Sequence, residues 1–201
     1  MNVSSGVFLL KIFVNIGECD IVSIRNFKEL KMLERFFPDE YYESTYIIDF
    51  EKYYKKGYRG VIFDIDNTLV PHGAPADERS IALFERLRAI GFDSVLLSNN
   101  KEPRVAMFNE PIGTHMIWKA GKPLPDNYRK AMELMKTDET NTLFVGDQLF
   151  TDILGAKNAG IRALLVKPMN PKEEIQIVLK RKLEAIVLRA YLKEHSMIQG
   201  K

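Results

Sequence analysis

A single cysteine, Cys19, stands in the 201 residues. That excludes an internal disulfide and fits a reducing compartment. Long hydrophobic runs are missing too, since no apolar stretch reaches the roughly 18 to 20 residues a bilayer span needs. The nearest, Val7 to Val14, is short and broken by Lys11. It has a poor basic flank and a poor small-residue cleavage site for a secretory leader. An excess of charge of one sign is also absent. Lys and Arg number 29 against 27 Asp and Glu, a net +2, so composition gives no argument for a nucleic-acid partner, and any basic patch must be local. The length suits one ordinary domain plus some excess, and such a chain buries a core without disulfide or metal staples. Nothing in residues 1–31 reads as chemistry. They are expected to be a loosely attached extension of one domain over 32–201.

What the chain does hold is a short apolar run, Val61-Ile62-Phe63, ending in Asp64-Ile65-Asp66-Asn67-Thr68. Strand side chains alternate between faces, so Asp64 and Asp66 converge where such a strand frays into a loop. Two acids at one point repel, and they persist mainly where a cation, a phosphate site or a proton transfer requires them. By itself Asp-x-Asp is equally compatible with a polar loop.

Strands and helices alternate from there on. Asp77 is expected to cap a helix carrying Ile81, Phe84, Leu87 and Ile90 and stopped by Gly91. Strands are expected at 94–97, 115–118, 142–145 and 162–166, and Pro125 opens a helix with Tyr128, Ala131, Met132 and Met135 on one face. Five strands separated by helices predict an α/β fold, a three-layer doubly wound parallel sheet. Upstream, nine aromatic residues crowd positions 36–58. They read as a strap across the core or as an interfacial surface, with Pro38-Asp39 as a turn before a helix.

Ligands of open parallel sheets bind at the carboxyl ends of the strands. Asp64 and Asp66, Ser98 with Asn99, Lys122, and Asp147 with Asp152 all fall just past a predicted strand end. Acid, hydroxyl, amine and acid together describe a site for a metal ion and a phosphoryl group. Mg²⁺ takes hard oxygen ligands, which Asp64 and Asp147 supply, while Lys122 offers charge and Ser98 and Thr68 offer hydroxyls to phosphate oxygens. Asp152 is expected to cap or orient the last loop.

In order and content these segments resemble the four motifs of the haloacid dehalogenase superfamily of aspartate-nucleophile phosphatases, over about residues 60 to 168. The resemblance implies a Rossmann-like core and a Mg²⁺-dependent phosphomonoesterase. Asp64 would form an aspartyl phosphate, and Asp66 would protonate the leaving oxygen and then activate water. The metal set would be Asp64, Asp66 and Asp147, and phosphate would meet Thr68, Ser98, Asn99 and Lys122.

The flanks, Phe37-Pro38-Asp39 through Val70-Pro71 and Gly146-Asp147-Gln148 with Thr151-Asp152, are similar to the bacterial relatives of mitochondrial and plastid phosphatidylglycerophosphate phosphatases. That likeness implies a lipid monoester, cleaved to phosphatidylglycerol, as substrate. It implies a cytoplasmic location with peripheral contact at the inner membrane face. Ala120 departs from the bulkier or basic residue that relatives often carry before the lysine. The intervals from Asp66 to Val95 and from Ser98 to Lys122 each hold one helix already, so no cap domain is expected. A final helix carrying Lys180, Arg181 and Lys182 would pack on the domain or lie on anionic lipid. Rival readings are a soluble sugar-phosphate or nucleotide phosphatase and, outside enzymes, a noncatalytic phosphoacceptor module.

Overall fold

The structure, a computed structural model, describes residues 33–170, 175–193 and 195–200, with the side chains of 175–183 left out. The extension expected over 1–31 therefore lies outside the described residues, as do the side chains of Lys180, Arg181 and Lys182.

Among the described residues, seven strands form one parallel sheet: β1 (Glu40–Tyr42), β2 (Gly60–Phe63), β3 (Asp93–Leu97), β4 (His115–Ile117), β5 (Thr142–Gly146), β6 (Arg162–Val166) and β7 (Met197–Ile198). Their order is β4-β3-β2-β5-β6-β1-β7. Six α-helices among the described residues accompany them: α1 (Phe50–Lys55), α2 (Glu78–Ile90), α3 (Glu102–Asn109), α4 (Asp126–Met135), α5 (Leu154–Asn158) and α6 (Ile175–Leu192). The doubly wound α/β class is as expected.

Strand alternation sorts the core into two layers. Val61 and Phe63 of β2 join Leu96, Val145 and Leu164 in a cluster with Phe50 of α1, Phe84 and Leu87 of α2 and Phe108 of α3. Phe144 of β5 faces the other way, with its ring 5.1 Å from that of Tyr128 on α4. Burial of each such side chain contributes on the order of 1.5 to 3 kcal/mol. Helix α2 begins and ends as its sequence predicts. Asp77 and Ser80 form a reciprocal cap, and Gly91 closes the helix in the left-handed conformation at φ +106°.

The aromatic segment corrects one expectation. Pro38-Asp39 leads into a strand, β1, which pairs with β6 on one side and β7 on the other. Tyr41 and Tyr42 are buried, as are Phe36, Phe37, Phe50 and Tyr53. Most of these rings are core, and they do not form a surface patch.

The sheet order places β2 in the interior, between β3 and β5, with Phe63 level with Leu96 and Val145. Residues following Phe63, Leu97 and Gly146 therefore emerge side by side.

Candidate active site

Asp64 leaves β2 still anchored to the sheet, its amide donating to the Val145 carbonyl at 3.0 Å. The chain then turns sharply. Asn67 takes φ +64°, a conformation asparagine tolerates better than most residues, and its amide donates to the Val70 carbonyl at 2.7 Å. The upstream segment supports this turn from below. The Thr45 hydroxyl donates to the Thr68 carbonyl at 2.7 Å, and the Tyr46 hydroxyl donates to the Leu69 carbonyl at 2.5 Å.

Lys122 arrives from the loop after β4. Its ammonium lies 2.6 Å from Asp64 Oδ1 and 2.7 Å from Asp152 Oδ1, with a side chain 3% exposed. Asn99 holds the lysine in place through its backbone, accepting the Lys122 amide at 2.8 Å and donating to the Lys122 carbonyl at 3.4 Å. Ser98 is buried, and its hydroxyl accepts the Asn100 amide at 3.2 Å.

After β5 the chain makes a π-helical turn, Leu149–Ile153. Asp152 folds back from it, and its Oδ2 accepts the amides of Asp147 and Gln148 at 3.2 and 3.1 Å. Asp152 thus bonds the start of this loop, and it also makes a direct ion pair with Lys122. Glu184 of α6, itself buried, accepts the Phe150 amide at 3.2 Å. Gly146 makes room for all of this, because a Cβ there would sit 2.6 Å from Asp152 Oδ2.

Three carboxylates, those of Asp64, Asp147 and Asp152, bring ligand atoms within 4.8 Å of one another. Thr68 Oγ1 lies 3.2 Å from Asp64 Oδ2 and 3.4 Å from Asp147 Oδ1. One hydroxyl proton serves only one of them at a time. Burial pushes the Asp64 carboxyl up to about 6, with Lys122 opposing and Asp152 reinforcing the shift. Burial works against the Lys122 ammonium, yet Asp152 and Asp64 outweigh it and hold the proton firmly. Three buried acids against one amine leave an excess of negative charge among hard oxygen donors, which suits a divalent cation such as Mg²⁺.

Asp66 is not part of that convergence; Asp152 is. The Asp66 carboxylate turns toward α3, where Asn100 Nδ2 reaches Oδ2 at 2.6 Å and Arg104 Nη2 reaches Oδ1 at 2.9 Å. The Gly73 amide adds 2.7 Å to Oδ1, and His72 Nδ1 lies 3.8 Å from it. Asp64, Asp66, Ser98, Asn99, Lys122 and Asp152 line one cavity, with His72 and Asn100 at its side, and its volume is about 200 Å³. Sequence reading missed Asn100 and Arg104. Their spacing of four across a helix start was the available signal.

Residues 119–172, which supply the lysine and the last acidic loop, match the HAD-hydrolase-like family model. The Bacillus subtilis protein named "Probable phosphatase YqeG" is 36% identical over 170 residues, covering 84% of this chain and 98% of that one. The chain belongs to the haloacid dehalogenase superfamily of phosphatases. A second superfamily relative is the chloroplastic and mitochondrial phosphatidylglycerophosphate phosphatase 1 of Arabidopsis thaliana, 27% identical over 168 residues. The match takes in 75% of this chain and 48% of that protein, about half its length. One crystal structure, 17% identical, superposes with a TM-score of 0.50 over 71% of this chain and 88% of the other, which extends the likeness to the fold alone.

Proposed function

We propose that this phosphatase cleaves phosphatidylglycerophosphate to phosphatidylglycerol through an aspartyl-phosphate intermediate, with Mg²⁺ held by Asp64 and Asp147 beside Asp152. The observation that carries the mechanism is the buried contact of Lys122 with both Asp64 and Asp152, at the ends of the central strands.

Asp64 is the nucleophile. One of its oxygens bonds to phosphorus as the ester P–O bond breaks, and a proton from Asp66 goes to the leaving oxygen. Water then attacks the same phosphorus, gives a proton to Asp66, and releases inorganic phosphate and the Asp64 carboxylate. Lys122 counters the charge on the phosphoryl oxygens. Ser98 lines the same cavity and offers its hydroxyl. A divalent cation held by Asp64 and Asp147 would supply the remaining positive charge that lets a carboxylate approach a phosphate dianion.

Support for a lipid substrate comes from the plant relative's name and from the access to the site. Asp64–Asp77 leads directly into α2 and Ser98–Lys101 directly into α3, and on our reading the cavity between them lies open. An open site suits an ester presented at a surface better than one that must be enclosed. On this reading the enzyme works at the cytoplasmic face of the membrane by peripheral contact. No helix among the described residues is long and apolar enough to cross a membrane.

The test is phosphate release from short-chain phosphatidylglycerophosphate set against a panel of sugar phosphates and nucleotides, with Asp64→Asn as the blank. Preference for the lipid, with no turnover by a folded Asp64→Asn protein, is expected. Preference for a soluble ester would overturn the substrate assignment, and activity in Asp64→Asn would overturn the mechanism.

A further inference from the structure

Asp66, like Asp152, has both carboxylate oxygens engaged, but by a different set of partners. Both oxygens are engaged, Oδ2 by Asn100 and Oδ1 by Arg104 together with the Gly73 amide. Asn100 and Arg104 come from one place, the end of β3 and the first turn of α3. Together they form a fork that fixes the carboxylate against rotation.

The economy of Arg104 shows what this fork is for. Its side chain is 15% exposed. Its Nε and Nη1 are buried and hydrogen-bond to nothing among the described residues. The guanidinium carbon lies 5.8 Å from the ring centre of the fully buried Phe108. A guanidinium so placed buries two nitrogens without a hydrogen bond and makes one at the third, to Asp66. Its position is also unfavourable for the helix, because a cation in the first turn opposes the macrodipole. Neither cost is explained by holding α3 in place, since Val105 and Phe108 already bury its apolar face. Both are explained if the site needs the Asp66 carboxylate in one orientation.

We propose that Arg104, assisted by Asn100, is the positioning residue for the acid/base Asp66, setting the direction from which it protonates the leaving oxygen and later deprotonates water. The inference rests on the role given to Asp66 above. It adds that α3, an element with no residue in the metal or phosphate set, tunes the proton transfer and not the nucleophilic attack.

The experiment compares phenyl phosphate with 4-nitrophenyl phosphate, similar in shape but different in how far the leaving oxygen needs a proton. For Arg104→Gln we expect kcat/KM on phenyl phosphate to fall on the order of ten-fold. That is part of the roughly 100- to 10,000-fold that general acid–base catalysis supplies. On 4-nitrophenyl phosphate kcat/KM should change little, while kcat falls and phosphoenzyme accumulates, because the hydrolysis step still depends on Asp66. Arg104→Lys should recover part of the loss. A role in stability alone would lower both kcat/KM values by one factor, and an unchanged ratio between the two substrates would overturn the proposal. Asn100→Ala, which acts on the other oxygen, gives the same comparison if Arg104→Gln does not fold. Asp66→Asn separates the two levels of inference. If it leaves the substrate ratio unchanged, the role of Asp66 itself fails; if it shifts the ratio and the α3 variants do not, positioning alone fails.

Discussion

Replacing Lys122 with methionine removes one positive charge and little volume, and the structure sets the size of the effect. The ammonium makes two contacts, 2.6 Å to Asp64 and 2.7 Å to Asp152, with partner side chains 10% and 2% exposed. Taking one partner from a buried ion pair costs roughly 3 to 5 kcal/mol, because the remaining charge is left without compensation. Here two carboxylates are left, with Asp147 beside them. Such a loss depends on pH in a definite direction. Burial already raises the folded Asp64 carboxyl to about 6, above the unfolded value near 3.9. A raised carboxyl weakens the folded state at pH values above it, and the penalty fades as the acid takes up its proton. Without Lys122 the value climbs further. Lys122→Met should therefore lose roughly 3 to 5 kcal/mol at pH 8 and distinctly less at pH 5, read from urea unfolding of both proteins at each pH. Magnesium at 100 times its dissociation constant should return up to about 2.7 kcal/mol at pH 8 if the acids hold it. A deficit under about 1 kcal/mol, or one equal at the two pH values, would refute the reasoning.

Two further outcomes follow from close contacts away from the lysine. Gly146→Ala places a Cβ 2.6 to 2.7 Å from three atoms of Asp152, so it should cost about 1 to 3 kcal/mol as an overpacked site does and lower kcat by displacing the Lys122 partner; wild-type urea midpoint and turnover would show the contact to be slack. Glu40 on β1 accepts from Tyr42, Tyr53 and Arg162 at 2.7 to 2.8 Å. Burial alone would raise its carboxyl, but Arg162 and the two phenols outweigh it and hold the value below the ordinary one. A depressed carboxyl adds stability above its unfolded value and loses it as pH falls through the folded one. Glu40→Gln should then cost about 1.5 to 3 kcal/mol at pH 7 and progressively less below about pH 4, and a deficit constant from pH 7 to pH 3 would contradict this.

The central strands were legible because their apolar runs are continuous and end in acid, hydroxyl or amine, a pattern no helix produces. Asp77, Gly91 and Pro125 marked helix ends by local chemistry, and those ends are where they were expected. Strand β1 was not legible, because three residues of Glu40-Tyr41-Tyr42 carry no periodicity and Pro38-Asp39 signals a helix start equally well. Only pairing with β6, more than 120 residues later, makes it a strand. At the site, sequence order brought Asp64 and Asp147 to adjacent strand ends and Lys122 to the loop after β4, two strands away from β2, but side-chain direction was beyond it. Asp66 turns to α3 and Asp152 joins the acidic cluster because of the bend at Asn67 and the π-turn after Gln148. Neither feature has a sequence period. Asn99 serves the Lys122 backbone for a similar reason, since its reach depends on how the loops after β3 and β4 meet.

The pairing of β2 with β5 also says something about how this enzyme is made. Val61 to Phe63 lie against Leu143 to Val145, and the intervening chain contains α2, β3, α3, β4 and α4. During synthesis Asp64 therefore emerges long before the strand that completes its surroundings. Until Thr142–Gly146 docks, β2 keeps an open edge and Asp64 has neither Asp147 nor Asp152 near it. Closing so long a loop must precede any reward from the contact. A nascent or truncated chain ending short of β5 is thus chemically silent, and it carries an unpaired apolar strand that invites association with other chains. Competence for phosphoryl transfer and protection of the sheet edge arrive in the same folding event.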